Sequence, residues 1–85
     1  MERFVVLGFQ QYEGDFEGRH YSGMKLYVQN LQKTADYGIV TELLKFKAQL
    51  LPAMPIQWTD KLIGQTIEVV YDRYGNPSSA RVVEE

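Results

Sequence analysis

Glycine and proline interrupt this chain so often that it favours several short strands over long helices. Gly14, Gly18, Gly23, Gly38, Gly64 and Gly75, with Pro52, Pro55 and Pro77, divide the sequence into brief runs. The C-terminal run QTIEVVYDRYGNPSSARVVEE reads as two strands around a turn. Ile67, Val69 and Tyr71 alternate with Glu68 and Asp72, Gly75, Asn76 and Pro77 supply turn chemistry, and Val82 and Val83 continue the returning strand.

The same reading applies upstream. RFVVLGF, residues 3–9, is an apolar run rich in β-branched and aromatic side chains and predicts a first strand, with QYEGDFEG as the turn or bend after it. Residues 20–30 predict a second strand. Period two assigns Ser22, Met24, Leu26 and Val28 to a core, and Tyr21, Gly23, Lys25, Tyr27 and Gln29 to solvent. LQKTADYG is a loop. Residues 39–50 hold a third strand, in which Leu44, Phe46, Ala48 and Leu50 alternate with Lys45, Lys47 and Gln49. TELLKFKAQLL competes as a helix capped by Thr41, but Lys47 interrupts the apolar stripe and Phe46 leaves it. Pro52 and Pro55 forbid a long regular element in LLPAMPIQW.

Five strands in 85 residues make one domain over residues 1–85. A chain this short buries only roughly 60–65% of its unfolded surface, so it has little apolar surface to waste. The expected fold is all-β: a small five-stranded antiparallel barrel of the OB type with a protruding C-terminal hairpin, because closure hides sheet edges. An open sheet would need its apolar face covered, and a homodimer does that. No cysteine is present, which excludes disulfides, thiolate metal sites and a cysteine nucleophile. MERFVVLGF lacks the apolar core of a signal peptide, and no run approaches the ~20 apolar residues of a membrane span, so a cytoplasmic protein without a membrane partner is expected.

Catalytic and metal chemistry find little support. His20 is the single histidine, so neither a Ser/His/Asp set nor a paired-histidine zinc spacing can be assembled, and it reads as a surface or ligand-contact residue. Glu13, Asp15, Glu17 and Gly18 copy positions 1, 3, 5 and 6 of a calcium loop, but position 12 falls on Met24 where a bidentate Glu is required. Solvated acids in a turn are the plainer reading. No enzyme activity and no cofactor are expected.

The informative stretch is GRHYSGMKLYV. Net charge is −2 overall, yet residues 19–47 carry five bases (Arg19, Lys25, Lys33, Lys45, Lys47) against Asp36 and Glu42, a local balance of +3. Arg19, Tyr21, Lys25 and Tyr27 would give one strand a basic and aromatic face, with Lys45 and Lys47 on its neighbour and Arg73 and Tyr74 at a hairpin tip. Rings that stack bases and cations that meet phosphates are what a single-stranded DNA or RNA needs. Two other readings stay open: alternating Tyr and Lys makes a merely solvated outer face, and Tyr21 with Tyr27 makes the subunit interface of a protein-interaction module.

The pattern resembles the small single-stranded-DNA-binding proteins of filamentous phages. Gly18, Arg19, His20 and Tyr21 match their Gly-basic-x-Tyr element, Lys45 and Lys47 their basic residue in an apolar middle strand, and Tyr74, Gly75 and Asn76 their aromatic-Gly-small hairpin tip, before the closing ARVVEE. The likeness runs from about residue 16 to the end, and the acids of YEGDFEG depart from it. It implies an OB-like barrel that dimerises and coats single strands cooperatively during DNA replication, in the host cytoplasm if phage-encoded. It also implies that Arg19, Tyr21, Lys45, Lys47 and Tyr74 contact nucleic acid.

Overall fold

The computed structural model describes residues 2–83. It is all-β: five antiparallel strands form one sheet in the order β3-β2-β1-β4-β5. They are β1 (Glu2–Phe16), β2 (Arg19–Asn30), β3 (Thr41–Lys47), β4 (Thr66–Tyr71) and β5 (Pro77–Val82). Two short 3-10 turns, Ala48–Ala53 and Asp60–Leu62, lie between β3 and β4. The outer strands β3 and β5 approach one another, so the sheet curls, although no ladder joins them among the described residues. No helix among these residues is long and apolar enough to cross a membrane.

The inner face is built by alternation. Phe4 and Val6 of β1, Leu26 and Val28 of β2, Leu44 and Phe46 of β3, and Ile67 and Val69 of β4 are buried, with Ala80 of β5. Met54, Ile56 and Leu62 from the β3–β4 connection join the same core, and Trp58 meets Phe9 edge-on at 5.5 Å between ring centroids. Pro52 is accommodated within the first 3-10 turn and Pro55 in the irregular chain after it, so neither is required to donate to a sheet ladder.

Three sequence expectations need correction. The first strand does not end at residue 9. QYEGDF continues β1 to Phe16, and the turn shrinks to Glu17 and Gly18, both at positive φ (51° and 74°). That is the backbone of the tight hairpin turn whose twist matches the flanking strands. The third strand is shorter than 39–50: it spans Thr41–Lys47, and the chain then enters a 3-10 turn, so Ala48 and Leu50 are not strand residues. Finally, Gly23 is buried rather than solvent-facing, and Ser22 and Met24 are only half-buried.

A bulge in β1 decides which side chains face outward. Val6 pairs with Val28, but Gly8 pairs with Tyr27, so β1 advances two residues while β2 advances one. Before this step the even-numbered residues Phe4 and Val6 point inward. After it Phe9 takes the inward place opposite Leu26, and Gln10, Tyr12, Gly14 and Phe16 turn to the outer face.

Candidate nucleic-acid interface

Three strands supply the outer face that follows the bulge. Its rows are Gly8, Tyr27 and Leu43; Gln10, Lys25 and Lys45; and Tyr12, Gly23 and Lys47. Beyond β3 the β1–β2 ribbon adds Gly14 opposite Tyr21 and Phe16 opposite Arg19. Directly paired residues share a face, so rings and cations from separate stretches of chain share this one.

Tyr12 is its centre. The ring lies across Gly23: a Cβ there would stand 2.7 Å from the Tyr12 hydroxyl, 2.9 Å from a ring carbon and closer still to the Phe46 carbonyl oxygen. Only glycine permits this approach. Lys25 Nζ and Lys45 Nζ each stand 5.9 Å from the ring centroid, within cation–π range.

Two grooves flank the β3 lysines. One, of about 680 Å³, lies between the ribbon and β3; Tyr12, Phe16, Tyr21, Lys25, Lys45 and Lys47 line it, and so do Glu13, Asp15 and His20. The second, of about 770 Å³, lies between β3 and the β4–β5 turn, and shares Tyr12, Lys45, Lys47 and Gln49 with the first. Tyr71 in its wall donates its hydroxyl to Glu2 Oε2 at 3.0 Å; burial and that carboxylate raise its pKa to about 12, so the phenol stays neutral. The acids along this groove are engaged locally. Asp72 Oδ1 accepts from the Tyr74 and Asn76 amides at 2.9 Å each, and Glu42 meets Lys33 Nζ at 3.4 Å.

Glu13 and Asp15 alternate with Tyr12 and Gly14 along the ribbon and still border the first groove. Glu13 and Asp15 pair opposite Ser22 and His20, out of phase with Tyr12 and Gly14, and both meet His20: Asp15 Oδ1 at 2.9 Å from Nδ1, Glu13 Oε1 at 3.1 Å from Nε2. His20 thus engages both carboxylates at the ribbon end of that groove.

Of the residues singled out in the sequence, Tyr21, Lys25, Lys45 and Lys47 meet in one groove. Arg19 is exposed at the ribbon's end and Tyr27 at the opposite end of the face, its hydroxyl 3.3 Å from Gln10 Oε1. Arg73 and Tyr74 sit apart on the β4–β5 turn, the guanidinium 5.0 Å from the ring centroid, with Tyr74 74% exposed. Sequence reasoning missed Tyr12 and Phe16, which it had assigned to a turn. Gly8 inside an apolar run, a common mark of a bulge, was the available signal.

No family model, curated protein or solved structure matches this chain.

Proposed function

We propose that this protein is a non-catalytic, cytoplasmic single-stranded-DNA-binding protein of a phage or mobile element. It coats single strands by stacking bases on tyrosines and neutralising phosphates with Lys and Arg. The observation that carries this reading is the gathering of Tyr12, Tyr21, Lys25, Lys45 and Lys47 in one groove, with the Lys25 and Lys45 ammoniums each 5.9 Å from the Tyr12 ring centroid. Stacking contributes about 1–3 kcal/mol per base and does not depend on sequence, and the cations add a salt-dependent term. Glu13 and Asp15 also border this groove, and His20 engages both of their carboxylates.

Titrating intrinsic tyrosine and tryptophan fluorescence with oligo(dT) tests the reading. Emission should be quenched at low salt, and the affinity should fall as salt rises. Absence of any response at low salt refutes it.

A second reading has its own support at one end of the face. Tyr27 and Leu43 are directly paired, and both are exposed, 42% and 46%. An aromatic–aliphatic pair left open to water suits a subunit contact, so we assign this end to a homodimer interface. Sedimentation equilibrium of Tyr27→Ser and Leu43→Ser variants checks it: both should shift the protein towards monomer.

A further inference from the structure

We propose that the bound strand crosses the sheet, from the β1–β2 ribbon over Tyr12 to the β4–β5 turn, and that Tyr12 is the central base-stacking platform. This rests on the single-strand reading above and adds to it a path and a residue outside the sequence motif.

Three observations converge. The two grooves share Tyr12, Lys45, Lys47 and Gln49 in their walls, so a ligand passing from one to the other crosses these side chains. Tyr12 is the aromatic ring at that crossing, and it is held. Gly23 gives it a flat seat on the sheet that any side chain would obstruct, which preorganises the ring before a base arrives. Finally, Lys25 and Lys45 stand at equal distances from the ring, 5.9 Å each, on neighbouring strands. A base on Tyr12 would have a cation available to the phosphates on either side. A strand following β2 instead would meet Tyr21 and Lys25 but leave the second groove empty.

The test uses the intact protein and fluorescently labelled oligo(dT). Tyr12→Leu, which keeps an apolar group on Gly23 but removes the π face, should weaken binding about 5- to 150-fold, the loss of one stacked base. Tyr12→Phe should bind within about twofold of the parent, and it guards against a loss caused by misfolding. Ala48→Glu places a negative charge in the first groove alone and Asn76→Glu in the second alone. An oligonucleotide of about 16 thymidines should be weakened by both, and one of about 4 by no more than one of them. Binding by Tyr12→Leu within about twofold of the parent, or indifference of both lengths to Asn76→Glu, overturns the crossing path and leaves single-strand binding standing. Failure of the parent protein to bind any length overturns both.

Discussion

Lys25 and Lys45 stand directly opposite one another on adjacent strands, β2 and β3, with the Tyr12 ring 5.9 Å from each ammonium. Like charges in directly opposed positions destabilise a sheet, typically by a few tenths of a kcal/mol to about 1 kcal/mol. A fold that keeps such a pair in its middle rows gives up stability at a place where an anion would restore it.

Replacing Lys45 should therefore separate stability from binding. Lys45→Gln is expected to raise the melting temperature at low ionic strength, with the gain vanishing as salt screens the pair. The same substitution should weaken oligo(dT) binding and reduce the slope of log affinity against log salt by about 0.7, the value for one phosphate contact on a single strand. Thermal melts and binding titrations over a salt series measure both. A variant that is less stable at low salt would show that the two lysines do not oppose the fold.

Gly23 is the most demanding position on the face. In Gly23→Ala the new methyl meets the Phe46 carbonyl oxygen, a backbone atom that cannot swing away, as well as the Tyr12 ring. Overpacking of this kind costs about 1–3 kcal/mol, and urea unfolding should register it as a lower midpoint. Alanine at Gly14, where nothing lies within 4 Å, should change the midpoint far less.

Acid should weaken the protein through Glu68. This buried carboxylate is held from both sides: Arg81 Nη2 at 2.8 Å and Arg3 Nη2 at 3.0 Å, in one cross-strand row of β1, β4 and β5. The Arg81 hydrogen bond, with Arg3 assisting, lowers its pKa below the ordinary 4.5 against the opposing effect of burial. A carboxyl with a depressed folded-state pKa stabilises the fold above its ordinary value, and that contribution is lost as pH falls through the depressed one. Denaturant unfolding from about pH 6 to about pH 3 should show a steeper loss in the parent than in Glu68→Gln. Parallel curves would contradict the assignment.

Alkali acts through Tyr71, with the opposite sign. Its pKa is raised from 10.0 to about 12, so between those values the unfolded chain has released a proton that the folded one retains. Stability must fall with rising pH in that window. Phenolate absorbance of the folded protein should contain a late component near pH 12 that Tyr71→Phe removes.

Much of this fold was legible because period two survives where strands are buried on one face. Leu26 and Val28, Leu44 and Phe46, and Ile67 and Val69 were placed correctly by alternation alone, and all are buried. The ends of elements were harder. YEGDFEG holds three acids and two glycines, a composition that reads as a turn, yet register with β2 carries the strand through it to Phe16. Local preference yielded there to pairing with residues 19–23, which propensity does not see. The site was half legible for the same reason. Tyr21, Lys25, Lys45 and Lys47 lie in strands whose phase was read correctly, whereas Tyr12 reaches them only through a bulge that reverses the phase of β1. Glu68 was read as outward-pointing, which it is, but the arginines that enclose it come from strands 65 and 13 residues away in sequence.

The lysines beside Tyr12 give an acidic molecule one local concentration of positive charge. In a native gel its total charge would carry it towards the anode with other acidic proteins, and an anion exchanger would retain it. A screen that selects nucleic-acid binders by overall basicity would pass over such a chain, because the whole-molecule average conceals the sign of one local field.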